Sequence, residues 1–307
     1  MKKDTVALLL CAGKGTRMND NSTNKVCFEV NGTPAVCRTI DNMKKAGIDK
    51  FVCVVGTLAE KVMECLSQYD GMMYAFQSEQ NGTGNAALMG LRALKKLGYS
   101  GNVLISMGDK IISPEVFENL IEKSEQTNSK CVFAVQKKEY NPTGGRILQK
   151  YGNTCGIYEM TDSYALLLGS LKNKSREAFE SALSEYSLNP KKQNKIVDYA
   201  MSNINNLPDT VNVGGCDFDF GAIESGKFVN TATYLCDLDA VYDAVNALRC
   251  DNAQGEVYLT DAINTIAADF GCDIIEVEKK EDMLSFGTKE ELAEINDYFV
   301  SIERNCL

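Results

Sequence analysis

TVALLLCAGKGTRM, residues 5–18, passes from an apolar run to a glycine-containing loop that carries two cations. The run 5–10 has no polar interruption and is too short for a typical helix. It reads as a strand buried on both faces. Gly13 and Gly15 let the backbone come close to an anion and aim N–H groups at it. Lys14 and Arg17 add positive charge, and Arg can hold a phosphate with two parallel hydrogen bonds. The loop is not a Walker A loop, which needs Gly-x4-Gly-Lys-Ser/Thr. Nor is it the dinucleotide Gly-x-Gly-x-x-Gly, because Met18 stands where the third glycine belongs. Lys25 follows across the polar stretch NDNSTN and can return to the same phosphates. The plainer reading of these residues is a strand-to-helix turn with surface cations.

Outward from this loop the chain alternates. Strands are predicted at 51–55, 72–76, 103–107 and 131–135. Helical spacing covers 34–46, 58–66, 84–97 and 114–124. Apolar strands without alternation, separated by helices, imply a parallel sheet covered on both faces. Ligands of such sheets bind beyond the carboxyl ends of the strands. The regularity stops near Met160. Residues 161–226 are polar, with a helix expected at 175–186 and loop at 203–210. A strand at 228–235, helices at 238–248 and 258–268, a strand at 272–277 and a helix at 289–298 complete the chain.

The chain has 307 residues, 44 % hydrophobic and 24 % charged, in the range of a globular protein. Its net charge of −10 argues against nucleic-acid or anionic-membrane partners. It contains no histidine, which removes Ser-His-Asp and Cys-His catalysis and every His-ligated metal. Carboxylates, Lys, Arg, backbone donors, Cys or a hard metal on oxygen must carry any chemistry. The 12 cysteines include no C-x-x-C pair, and several lie in apolar runs. They are expected to be reduced, buried thiols, and a cytoplasmic location is expected with them. No apolar run is long enough to span a membrane.

Three further groups sit just after predicted strands. FQSEQNGTGNAA (76–87) offers Gln77, whose amide can read the edge of a base, and Gly82 and Gly84, which permit close approach. Gly108-Asp109 follows VLISM, where a carboxylate can hold Mg²⁺. PTGGRI (142–147), GIYE (156–159) and VNT (229–231) place an amide and a carboxylate where sugar hydroxyls can bind. Taken singly, each also reads as a turn, a helix cap or a strand end.

In this order, together with NAQGEVYLTD at 252–261, these motifs resemble the sugar-1-phosphate nucleotidyltransferases. The resemblance is greatest to the uridylyltransferase domain of the bifunctional N-acetylglucosamine-1-phosphate uridyltransferases, over roughly 4–160 and 228–292. It implies a Rossmann-like nucleotidyltransferase fold: α/β, with a mixed, mainly parallel sheet and helices on both faces. It implies a reaction in which UTP and N-acetylglucosamine 1-phosphate give UDP-N-acetylglucosamine and pyrophosphate, with Mg²⁺ as cofactor. By the same resemblance Ala12, Gly13, Lys14, Gly15 and Thr16 would border the nucleotide. Gln77 and Gly82 would contact the base, with Gln80 and Thr83 supporting that loop. Arg17 and Lys25 would hold the triphosphate and the developing charge, and Asp109 would bind the metal. Gly145, Glu159 and Asn230 would bind the sugar.

Three departures stand out. The family's second metal ligand, an Asn or Asp near the last helix, falls here on Gly287 or Ser285, with Asp282 as a possible substitute. The stretch from Glu159 to Asn230 is longer by on the order of 50 residues, and loops of such length tend to be functional or disordered. It is expected as an insert at about 161–226 in one nucleotidyltransferase domain spanning 1–307. Hexapeptide repeats of the relatives' β-helix acetyltransferase domain do not occur in these residues, so acetyl transfer is not carried over. Another sugar or alditol phosphate, CTP or dTTP as donor, or a catalytically weak nucleotide-binding protein remain as alternatives.

Overall fold

A computed structural model describes residues 4–15, 18, 22–186, 188–248 and 256–305, with side chains up to 302. Nine strands form the main sheet: β1 Thr5–Leu10, β2 Lys50–Val55, β3 Met72–Phe76, β4 Asn102–Met107, β5 Cys131–Lys137, β6 Arg146–Lys150, β7 Asn153–Tyr158, β8 Phe228–Asp237 and β9 Asp273–Glu276. Across the sheet the order is β3-β2-β1-β4-β8-β5-β9. Strands β1 to β4 pair in parallel, and β9 is parallel to β5. Only β8 runs against its neighbours in this path, pairing antiparallel with β4 and β5. Leu10 is level with both Val54 and Met107, so three strands end at one edge.

The reversal of β8 follows from where the chain enters it. Phe228 pairs with Lys137, the last residue of β5, so the chain comes into β8 at the carboxyl edge of the parallel strands. The first half of β8 meets the β6–β7 hairpin at Val229–Arg146, and the second half meets β4. A shift in register between Asn230 and Tyr234 separates the halves, with Ala232 at φ 52°. The Asn230 side chain supports this bulge: its Oδ1 accepts from Ala232 N at 2.9 Å.

Eleven helices lie among the described residues: α1 Ala35–Lys45, α2 Ala59–Leu66, α3 Thr83–Lys96, α4 Pro114–Thr127, α5 Met160–Gly169, α6 Arg176–Leu183, α7 Pro190–Ser202, α8 Phe220–Glu224, α9 Leu238–Ala247, α10 Leu259–Phe270 and α11 Lys289–Asn305. The alternation of strand side chains splits the core in two. Val6, Leu8 and Leu10 pack with Leu91 of α3, Val241 of α9 and Ile263 of α10. Ala7, Leu9 and Cys11 pack with Ile40 of α1, Val62 of α2 and Phe117 of α4. The mainly parallel sheet with helices on both faces is as expected.

The stretch 160–224 departs from expectation. It is not one helix among loops but four helices and a hairpin, Thr210–Val213 with Cys216–Asp219. They share a core of their own, in which Met160, Tyr164, Leu168, Phe179, Ile196, Val197, Phe218 and Ile223 are buried. Leu148 and Cys155 of the β6–β7 hairpin join that core. The final helix also runs further than expected, to Asn305. The described cysteines are free thiols as read, although Cys27, Cys65, Cys216 and Cys272 are only half-buried. None of the helices among the described residues is long and apolar enough to cross a membrane.

Candidate active site

The glycine loop is tied down at the end of β1. Cys11 N donates to Val54 O at 2.9 Å, and Gly13 and Lys14 are exposed beyond it. Asn24, which sequence reasoning passed over, does most of the holding. Its Nδ2 lies 2.8 Å from Thr57 O and 3.3 Å from Cys11 O, and its Oδ1 accepts from Val26 N. It is 2 % exposed. The signal was available, since a buried Asn before a short 3₁₀ turn is a capping residue. That turn, Lys25–Cys27, presents Lys25. Thr16 and Arg17 lie outside the described residues.

Lys25 Nζ donates to Asp109 Oδ2, and its ammonium also stands 5.6 Å from the centre of the Phe286 ring. Asp109 sits just past the end of β4, so the turn after β1 and the end of β4 meet. Gly108 makes this possible: a Cβ there would come within 2.3 Å of Cys11 Sγ. Lys110 was not anticipated. Burial lowers its pKa, opposed by Asp109 and reinforced by Lys25. Lys25 thus brings a cation to the carboxylate at the end of β4 in a chain of net charge −10, and cations placed among backbone donors suit a phosphate site.

The second loop meets the first from β3. Gln80 Nε2 donates to Ala12 O at 2.8 Å and to the Thr57 hydroxyl. Gln77 is 4 % exposed and turned inward, donating to Asn85 Oδ1 at 2.9 Å and Gly82 O at 3.3 Å. Gly82 has φ 101°, and a Cβ on it would lie 2.4 Å from Val257 O. Gly84 N donates to that same carbonyl at 2.8 Å, and Leu259 N donates to the Thr83 hydroxyl at 3.1 Å. The described end of the NAQGEVYLTD motif thus buttresses the QNGTG loop. Residues 252–255 lie outside the described residues.

The third group also comes together. Asn230 N donates to Gly145 O at 2.8 Å. A Cβ on Gly145 would sit 3.1 Å from Glu159 Oε2. The Asn230 side chain is paired with the Tyr234 hydroxyl at 2.8 Å. Glu159 opens α5 without capping it by its side chain. Burial raises its pKa; the Thr260 hydroxyl lowers it, Asp261 raises it and Lys192 lowers it. Arg146 is 1 % exposed and fixes the loop before it, donating to Gly144 O at 2.6 Å and Pro142 O at 2.8 Å. Its charge is balanced by Glu224 of α8 at 3.2 Å.

For a divalent ion the donor set is short. The strand 283–285 pairs antiparallel with 110–112, so Ser285 faces Lys110 beside Asp109. The same register sends Asp282 past Ile112 to the level of Ser113, about 13 Å along the strand from Asp109 at ~3.3 Å per residue. Gly287 is buried and its N–H is taken by Glu291. Among the described residues no three acidic or thiol side chains converge as a metal cage. Mg²⁺ binds through one or two carboxylates and fills its shell with phosphate oxygens and water. Among the described residues Asp109 is the carboxylate that fits an ion arriving with a nucleotide.

A mainly parallel sheet with one reversed strand, a glycine loop after β1 and an Asp after β4 defines an α/β nucleotide-handling protein. Residues 7–184 match the family described as the MobA-like NTP transferase domain, and the chain belongs to that family. It is similar to the bifunctional protein GlmU of Geobacter metallireducens, 27 % identical over 95 % of this chain and 49 % of the relative. The GlmU of Syntrophotalea carbinolica is 28 % identical over 96 % of this chain and 51 % of the relative. The chain thus spans about half the length of these curated relatives. The fold is shared with a UDP-glucose pyrophosphorylase solved with UDP-glucose (TM-score 0.65, 13 % identity, 97 % of this chain and 98 % of that one). It is shared equally with a Bacillus anthracis structure assigned as a glucose-1-phosphate thymidylyltransferase (TM-score 0.65, 16 % identity, 96 % and 94 %).

Proposed function

We propose that the protein transfers a uridylyl group from UTP to N-acetylglucosamine 1-phosphate, giving UDP-N-acetylglucosamine and pyrophosphate. The observation that carries this reading is the pairing of Lys25 with Asp109 at the end of β4, where Gly108 lets that strand end approach Cys11 before the glycine loop. It is supported by family membership and by the GlmU relatives. In this reading residues 161–226 are an insert within a nucleotidyltransferase domain, and the protein works in the cytoplasm.

The base lies against Ala12 and the Gln77–Gly82 loop, with Gln80 and Thr83 holding that loop in place. The triphosphate lies on the N–H groups of 13–16, with Lys14, Arg17 and Lys25 around it. Gly145, Glu159 and Asn230 take the sugar. An oxygen of the sugar phosphate attacks the α-phosphorus of UTP; that P–O bond forms as the bond to the β-phosphate oxygen breaks, and pyrophosphate leaves with the electron pair. The nucleophile is already ionised near neutral pH, so no general base is needed, which suits a chain without histidine. Lys25 and Arg17 offset the charge of two anions brought together and the charge that grows on the leaving group. When bound, Mg²⁺ supplies further charge neutralisation at the phosphates, with Asp109 as its ligand.

The test separates an enzyme from a binder. Asp109→Asn is expected to reduce turnover by at least ~10²-fold while UTP affinity stays within a few fold. Turnover that survives the substitution overturns the role given to Asp109.

A further inference from the structure

The segment from Glu159 to Asn230 leaves the β6–β7 hairpin and re-enters the sheet at the carboxyl edge of the parallel strands, beside the candidate site. It holds that site at two points. Glu224 of α8 accepts from the buried Arg146, whose other bonds fix the carbonyls of Pro142 and Gly144. The second point is α7. Ile196, Val197 and Ala200 of α7 are buried in one core with Met160 and Tyr164 of α5, and Glu159 is the residue that opens α5. Lys192 stands four residues before Ile196, hence on the same face of α7. It is half-buried in the first turn of a helix capped by Asn189, whose Oδ1 accepts from Lys192 N at 2.8 Å. Among the described residues its ammonium is a cation that acts on the Glu159 carboxylate. Within reach of the charge of Glu159, the Tyr258 hydroxyl is buried without a hydrogen-bond partner among the described residues, in a residue 9 % exposed. Such a hydroxyl is costly unless a ligand satisfies it.

We propose that Lys192 is a specificity-determining residue of the acceptor pocket, gripping with Glu159 a vicinal diol at the end of the acceptor remote from its phosphate. This rests on the nucleotidyl-transfer reading and deepens it. A carboxylate accepts from one hydroxyl while the ammonium donates to the oxygen of its neighbour, so the pair can hold two adjacent hydroxyls at once. In N-acetylglucosamine 1-phosphate the 3- and 4-hydroxyls are such a pair. An aminoalkyl phosphate has no diol and would bring its own cation against Lys192. The chain therefore selects a sugar acceptor through a helix that lies between its two sugar-binding motifs in sequence.

The experiment is steady-state kinetics of the full chain with UTP and the sugar 1-phosphate that the wild type turns over best, together with its deoxy analogue at one diol position. Wild type, Lys192→Gln and Lys192→Arg are compared. The wild type is expected to lose about 10-fold or more in acceptor kcat/KM on the deoxy analogue. Lys192→Gln should lose a similar factor on the parent sugar, mainly in KM, and should no longer distinguish the two acceptors. Lys192→Arg should recover most of the loss, and the KM for UTP should stay within about twofold throughout, which also shows that the variants fold. An unchanged acceptor KM in Lys192→Gln overturns the assignment, as does full discrimination retained by that variant or an aminoalkyl phosphate as best acceptor. Wild-type protein that binds UTP but turns over no acceptor overturns the transfer reading itself, a result distinct from these.

Discussion

Lys25 and Asp109 are 84 positions apart in the chain and meet where the 3₁₀ turn after β1 lies against the end of β4. Two glycines shape the loops here, in different ways. Gly108 lets the end of β4 approach Cys11. Gly82 takes a positive φ under the carbonyl of Val257. Gly82→Ala therefore strains the backbone and collides with it. It should raise the KM for UTP about 10-fold or more and lower the melting temperature by several degrees, with the acceptor KM much less affected; a variant with normal UTP kinetics would remove this loop from the nucleotide site.

Glu159 gives a pH prediction at the same scale. Burial raises its pKa, so it takes up its proton at higher pH than a free glutamate, near 4.3. The ionised form is the one that accepts from substrate hydroxyls. Acceptor KM should rise as pH falls, starting above the range of ordinary carboxylates, while the KM for UTP does not follow. The linkage to stability has the opposite sign. A raised pKa in the folded state means that this group contributes stability at low pH and loses it as pH rises through the folded value. Glu159→Gln should thus raise the melting temperature of the free protein by about 2 °C at neutral pH while weakening acceptor binding. A lower melting temperature would show that the carboxylate is retained for structure.

At the scale of elements, α5 to α8 show where sequence patterning runs out. α5 is apolar on nearly every side, burying Met160, Thr161, Ser163, Tyr164, Ala165, Leu166 and Leu168, so it has no contrasting face to reveal a period. α7 buries only Ile196, Val197 and Ala200 within thirteen residues, and its polar remainder reads as loop. The parallel strands were legible because they are buried on both faces, and so were the helices between them. Which way β8 runs was not, since direction depends on where the chain re-enters the sheet. Among site residues, those at strand ends were legible by position. Thr57 and Lys192 were not, because each acts through partners distant in the chain. Phe179→Ala tests the element directly. It empties the centre of the α5–α8 core and should cost about 3–5 kcal/mol there. The acceptor KM should rise severalfold or more while UTP binding is preserved; equal loss of both would mean that this core and the sheet unfold as one unit.

Across the whole molecule the proposed function assigns three parts of the chain to one site. In the proposed reading the first loop and β4 hold the phosphates, the β3 loop with the start of α10 holds the base, and the β6–β7 hairpin, β8 and the 160–224 unit hold the acceptor. The first two parts lie where the relatives' motifs lie. The third contains residues the relatives' motifs do not cover, so the nucleotide reaction is the broader property and the acceptor the narrower one. A shared site also predicts order. Saturating UTP should raise the melting temperature through mass action, by a free energy of about 2.7 kcal/mol at a hundredfold excess over Kd. An acceptor that shifts the melting temperature only when UTP is present would place nucleotide binding first.

The measurement that bears most directly on the proposed reaction is pyrophosphate release by the purified protein with Mg²⁺. UTP, CTP, dTTP, ATP and GTP are each paired with N-acetylglucosamine 1-phosphate and glucose 1-phosphate. The account predicts turnover with UTP and N-acetylglucosamine 1-phosphate, at least ~10-fold above any other pair. Release with none of the pairs, by protein that still binds UTP, would contradict it.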